Sequence, residues 1–136
     1  MKLLLDTHIW LWSMLAPERL SPRVGRALRD RRNDLWLSPI STWELAVLSA
    51  KGRVALNEDV TQWVAKAMAA APLREAPLTH EIALETTKFH LPHRDPADYF
   101  LGATARVLGL TLVTADKRLI ESRQFPVLAN RRDQSK

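Results

Sequence analysis

The stretch Leu3-Leu4-Leu5-Asp6-Thr7-His8 decides how this chain is read. A continuous apolar triplet suits a short strand buried on both faces, as in a parallel sheet. An acid placed directly after it stands where a strand hands over to a helix. The same arrangement returns at Gly109-Leu110-Thr111-Leu112-Val113-Thr114-Ala115-Asp116. Two more acids lie just inside helix starts: Glu44 in Ser38-Pro39-Ile40-Ser41-Thr42-Trp43-Glu44, and Asp98 in Asp95-Pro96-Ala97-Asp98. In an open α/β sheet, the C-terminal strand ends and the helix starts that follow form one rim, where ligands bind. Acids far apart in sequence then converge on one point. Two like charges at ~4 Å cost about 4 kcal/mol at an effective dielectric near 20. Protons or a hard divalent cation must relieve that repulsion, and an all-oxygen set suits Mg²⁺ or Mn²⁺.

The remaining elements follow from local signals. Thr7 caps a helix running to about Leu15, where Ala16-Pro17 stops it. Ser21-Pro22 opens a helix to about Arg32, and Asn33-Asp34 turns the chain into a strand at Leu35-Trp36-Leu37. Ser38-Pro39 opens the next helix, which Gly52 ends; Asn57 to Ala71 is amphipathic and helical. Pro72 to Pro77 is a weak strand, Thr79 to about Lys88 a helix, and Phe89 to Arg94 a loop. Pro96 to Leu108 is a helix ended by Gly109, Thr111 to Thr114 a strand, Lys117 to Ser122 a short helix, and Phe125 to Leu128 an edge strand. Short strands alternating with helices predict an α/β fold, a parallel sheet with helices on both faces. One domain is expected over residues 1–130, with a polar, frayed tail over 131–136.

Composition narrows the function classes. The chain has 136 residues, 46% of them apolar, which is enough for a real core and argues against wholesale disorder. A net charge of +5 suits a polyanionic partner. The absence of cysteine excludes disulfides and thiolate metal sites. Asp6 and His8 interrupt the apolar start that a secretory signal needs, and no run approaches the ~20 residues of a membrane span, so a soluble, cytoplasmic protein is expected.

Each candidate has a structural reading beside the chemical one. Asp6 can act as a helix N-cap, but Thr7 can do so equally well. Ser41-x-x-Glu44 matches a capping box, although Ser38-Pro39 already supplies the helix start; both readings of Glu44 stay open. Pro96 belongs at the first helical position, which makes Asp95 the cap and leaves Asp98 as the site acid. Asp116 can cap its own short helix, but its place after Leu112-Val113 favours the rim. His90-x-x-His93 can be drawn as a zinc half-site, yet nothing completes a tetrahedron. His8 is either a group supporting Asp6 or a solvated side chain. The arginines at 19, 23, 26, 29, 31 and 32 read as a solvated face or as a phosphate-tracking patch.

The segments around Asp6, Glu44, Asp98 and Asp116, in this order and at these separations, resemble the PIN-domain nucleases, specifically the VapC-type toxins of toxin–antitoxin pairs. The resemblance covers residue 3 to about residue 128. It implies a PIN-like three-layer fold, with Asp6, Glu44, Asp98 and Asp116 as the metal-site acids. It further implies Mg²⁺-dependent endoribonuclease activity (Mn²⁺ being possible), an RNA substrate and a VapB-type antitoxin partner. Two positions depart from the pattern. Many relatives carry arginine after the third acid, where this chain has Tyr99, and an aromatic residue three positions after the fourth, where it has Leu119.

A carboxylate-held Mg²⁺ supplies what phosphodiester hydrolysis needs, an acidified water and relief of charge on the phosphate oxygens. In this reading Asp6 and Asp116 are direct ligands, Glu44 and Asp98 complete the site, and Thr7 and Thr114 hold acids or waters through their hydroxyls. The helix carrying Trp10 and Trp12 is apolar nearly all round, and with the Trp63 helix it suggests more apolar surface than the sheet covers, hence a homodimer or an antitoxin helix. The alternatives are a non-catalytic RNA- or partner-binding module on the same fold, which would not need intact acids, and an aspartyl phosphotransferase. The common phosphatase pattern puts a second Asp where His8 stands.

Overall fold

The computed structural model describes residues 1–131; beyond Arg131, the expected polar tail lies outside the described residues. Apolar strand triplets and helix-start signals resolve into β1 (Lys2–Leu5), α1 (Thr7–Leu15), α2 (Pro22–Arg29), β2 (Asp34–Leu37), α3 (Pro39–Ala50) and α4 (Val60–Ala70). They continue with β3 (Leu73–Glu75), α5 (His80–Glu85), α6 (Pro96–Leu108), β4 (Thr111–Thr114), α7 (Lys117–Ser122) and β5 (Val127–Ala129). The strands form one sheet in the order β3-β2-β1-β4-β5, every pair parallel.

β1 is the central strand, which is why it is apolar without alternation. Leu3 pairs with Leu35 on one side and Thr111 on the other, and Leu4 with Trp36 and Leu112. Successive side chains of a strand point to opposite faces. Leu3 and Leu5 accordingly enter a core with Ile9, Trp10, Val24, Leu45 and Trp63, from α1 to α4. Leu4 enters the other core, with Ile82, Leu101, Leu119 and Phe125. Helices α1, α2 and α4 cover the first face and α5, α6 and α7 the second, giving three layers. α3 packs against α1, α4 and α6, so it touches both helical layers.

The strand order turns between β1 and β4. The chain lays β1, β2 and β3 outward in one direction, then returns to place β4 on the opposite side of β1. That is the topological switch point, and ligands bind at it, outside the carboxyl ends of the strands.

Several expectations shift. Asp6, not Thr7, caps α1, its carboxylate accepting from Thr7 N–H at 2.7 Å. α2 stops at Arg29 rather than Arg32, because Asp30 leaves helical geometry and the Asn33 amide donates to the Ala27 carbonyl. α4 begins at Val60 because Asp59 caps it. α5 closes at Glu85, where the Thr86 and Thr87 hydroxyls donate to the Ala83 and Leu84 carbonyls and draw the chain into turns. The edge strand is displaced to Val127–Ala129, since Pro126 has no N–H to give; its carbonyl accepts from Leu112 N–H. Trp10 and Trp63 do not await an external partner: their rings meet edge-to-face at 5.5 Å and both are buried. The apolar surface left on α1 is Met14 and Leu15, at its far end.

Candidate active site

Each rim acid is carried by a different element. Asp6 leaves the end of β1, Glu44 stands in the second turn of α3, Asp98 in the first turn of α6, and Asp116 follows β4. The structure brings all of them to one pocket, lined also by His8, Trp12, Asp95, Ala115 and Arg118. Asp6 and Asp116 share it because β1 and β4 are neighbours at the switch point. Glu44 reaches it because α3 lies across both layers.

Every acid is held by a specific donor. Asp6 accepts from Thr7 N–H on Oδ1 and from the Thr114 hydroxyl on Oδ2, at 2.7 and 2.6 Å. The Thr114 hydroxyl also accepts from Asp116 N–H at 3.1 Å, tying two acids to one side chain. Thr7 Oγ1 donates to Glu44 Oε1 at 2.5 Å. His93 Nε2 lies 2.6 Å from Asp98 Oδ2. Asp116 caps α7 through Arg118 N–H and accepts from the Arg118 guanidinium on both oxygens.

The electrostatics follow from this packing. Burial pushes Asp6 above the usual carboxylate range, against the pull of Thr114 and Thr7. Desolvation, with the like charges of Asp6, Asp95 and Asp98 added, raises Glu44 to about 7 despite the Thr7 hydrogen bond. Asp98 rises to about 6, again chiefly by desolvation. Asp116 alone is held below its ordinary value, by the Arg118 hydrogen bonds. Without a counter-cation, Glu44 and Asp98 hold their protons to higher pH than free carboxylates do.

The structural readings of the acids now separate. Glu44 does not close a capping box: Ser38 caps α3 through Ile40 N–H, and Ser41 is inside the helix. Asp95 caps α6 through Ala97 N–H at 3.1 Å and also lines the pocket edge. Asp6 and Asp116 cap α1 and α7 and also line the pocket.

Two participants escaped the reading of the sequence. His93 does not pair with His90, which lines a separate groove with Tyr99 and Phe100. His93 turns to Asp98 instead, and ligand atoms of His93, Asp98 and Asp116 all lie within 4.8 Å of one another. Its place in an irregular loop carries no periodicity that would reveal it. Arg118 was hidden on a short helix, although its spacing from the Asp116 cap allows it to reach back. Tyr99 stacks on Phe89 at 5.5 Å and its hydroxyl accepts from Leu91 N–H, fastening the loop that carries His93. Leu119 is core. The arginines do not form one stripe. Arg19 lies over Trp12, Arg29 over Gly25, and Arg32 pairs with Asp30, whereas Arg23, Arg26 and Arg131 share a groove beside β5.

A parallel α/β domain with a cluster of carboxylates at its switch point is the class that fold and site define. The PIN domain family model matches residues 3–123. The chain is 35% identical over 119 residues to ribonuclease VapC22 of Mycobacterium tuberculosis, covering 85% of this chain and 88% of that protein. It therefore belongs to the PIN-domain family, among the VapC-type ribonucleases. Solved structures share the fold at lower identity. In VapBC2 from Rickettsia felis bound to a promoter DNA fragment, the match has a TM-score of 0.71 at 14% identity, over 96% of this chain and 100% of the other. FitAcB from Neisseria gonorrhoeae gives 0.63 at 22%, over 93% and 96%.

Proposed function

We propose that this protein is a divalent-metal-dependent endoribonuclease, the toxin of a toxin–antitoxin pair, with Asp6, Glu44, Asp98 and Asp116 as its metal-site acids. The observation that carries the reading is the convergence of these acids in one pocket where most are pushed toward the protonated form. Carboxylate oxygens with one imidazole nearby are a donor set for a hard cation, Mg²⁺ or Mn²⁺. Such an ion, when bound, supplies charge relief at the phosphate oxygens and an acidified water.

The chain's own residues do the orienting. Thr114 and Thr7 N–H fix Asp6, Thr7 Oγ1 fixes Glu44, and His93 fixes Asp98, in the way that outer hydrogen bonds set the aim of metal-binding carboxylates. Glu44 Oε2 and Asp98 Oδ1 are left for a ligand or a proton. Glu44, raised to about 7 by burial and by the neighbouring acids, carries a proton in the metal-free pocket that a bound cation would displace.

Support for the partner comes from the VapBC relatives, whose toxins are seen with their antitoxins. A groove of about 370 Å³ beside α1 and α2, lined by Met14, Leu20, Leu28, Leu35 and Leu73, offers an apolar seat for an antitoxin helix. Self-association through the exposed Met14 and Leu15 at the same end is part of this reading.

Mapping of cleavage ends on total RNA tests it, with wild type and Asp6→Asn, with and without Mg²⁺. New 5′ ends that need both Mg²⁺ and Asp6, and that vanish when the cognate antitoxin is added, are expected. Ends that persist in Asp6→Asn or in chelator would defeat the proposal.

A further inference from the structure

Asp116 is the acid of the pocket with a cation on both oxygens. Arg118 Nε donates to Oδ1 at 3.2 Å and Nη2 to Oδ2 at 2.9 Å, a two-pronged pair. Asp6, Glu44, Asp95 and Asp98 line the same pocket, and Arg118 is the only lysine or arginine among its lining residues. The other donors near the pocket are committed elsewhere. His93 Nε2 is on Asp98, and Lys117 lies along α7 toward Glu121. His8 lines the pocket without a second prong to offer.

We propose that Arg118 exchanges partners: it occupies Asp116 in the free protein and passes its fork to the oxygens of the RNA phosphodiester when a divalent cation takes Asp116. This rests on the endoribonuclease reading above. A carboxylate and a phosphate present the same paired-oxygen face to a guanidinium, so one fork serves both. An anionic substrate must approach a pocket of five carboxylates, Asp6, Glu44, Asp95, Asp98 and Asp116, and needs a cation there besides the metal. The pair is also easy to open. Its side chains are 53% and 25% exposed, and water-exposed ion pairs are weakly held. Arg118 has no place in either core, so its release leaves the packing intact.

The exchange predicts effects of opposite sign at one residue. Calorimetry with Mn²⁺ on RNA-free protein should show Arg118→Ala binding the ion tighter than wild type, by up to about fivefold, because a competitor for Asp116 is gone. Binding of a labelled single-stranded oligoribonucleotide is then compared in Ca²⁺ and in EDTA. Wild type should gain affinity in Ca²⁺, and Arg118→Ala should lose most of that gain, with its salt slope in Ca²⁺ lower by about 0.7. In EDTA the two should match. Arg118→Lys should keep the slope but bind more weakly, having charge without a fork. Equal Mn²⁺ affinity, or the same RNA deficit in Ca²⁺ and EDTA, would overturn the exchange. Wild type that binds Mn²⁺ yet neither binds nor cleaves RNA would overturn the ribonuclease reading. Wild type that cleaves RNA, matched by Arg118→Ala in every arm, would overturn only the role of Arg118.

Discussion

The Thr114 hydroxyl reaches Asp6 across the β1–β4 boundary, donating to Oδ2 at 2.6 Å, with both residues buried. Thr114→Val keeps the shape of the side chain and removes the donor. A buried acceptor left short of a partner costs about 1–3 kcal/mol. Loss of an orienting hydrogen bond lowers metal affinity roughly 10–100-fold. Urea unfolding and Mn²⁺ calorimetry read the two effects separately. Unchanged Mn²⁺ affinity would mean that Thr7 N–H aims Asp6 unaided.

Stability of the metal-free protein should fall as pH rises from 5 to 8, the reverse of the usual carboxylate trend. Asp6, Glu44 and Asp98 are raised in the folded state, the last two to about 7 and about 6, so the folded protein binds more protons than the unfolded chain in this window. Their contribution is full below the unfolded carboxylate range and is lost as pH rises through the folded values. Asp116 is lowered, and its opposite contribution is already complete above the ordinary Asp value. Melting in EDTA should therefore give a lower Tm at pH 8 than at pH 5.5, with Mn²⁺ restoring it at pH 8. A Tm that rises with pH in EDTA would show that the pocket does not hold these protons.

Asp95 caps α6, whereas Asp98 faces His93, so different effects are expected of their replacement. Asp95→Ala removes the α6 cap and should cost about 1 kcal/mol with Mn²⁺ affinity largely kept. Asp98→Asn should weaken Mn²⁺ binding by tenfold or more. Calorimetry in which Asp95→Ala abolishes binding and Asp98→Asn does not would reverse the assignment.

Gly102 lies in the interior of α6, where alanine would ordinarily help the helix by about 0.5–1 kcal/mol. Here an added Cβ would meet Phe125 Cε2 at 2.5 Å and Phe89 Cζ at 3.0 Å. Gly102→Ala should thus destabilise on balance, since overpacking costs about 1–3 kcal/mol. Gly25→Ala, facing only the flexible end of Arg29, serves as the contrast. Equal urea midpoints for the two variants would show that the aromatic pair gives way freely.

The sheet and its helices were legible because central parallel strands are apolar without alternation and helix starts carry caps and prolines: Leu3 to Leu5, Ser38-Pro39 and Asp95-Pro96 each declare themselves locally. The convergence of the acids was legible because the strand ends and helix starts that carry them form one rim. What escaped was set by tertiary contact. Trp10 looked surplus until α4 brought Trp63 over it. His93 acquires meaning only when the Tyr99 hydroxyl holds its loop against α6. Arg118 looks like any surface arginine until Asp116 is seen in the same cap.

The site is assembled from segments far apart in the sequence, with Thr114 and Asp6 separated by 108 positions. A ribosome making this protein therefore carries no finished active site until the β4 segment, well past the middle of the product, has emerged. Early termination or proteolysis upstream of Asp116 yields fragments without a complete acid set. For an enzyme proposed to attack RNA, the topology acts as a timer: the four acids can meet only after the segment carrying Asp116 has been made.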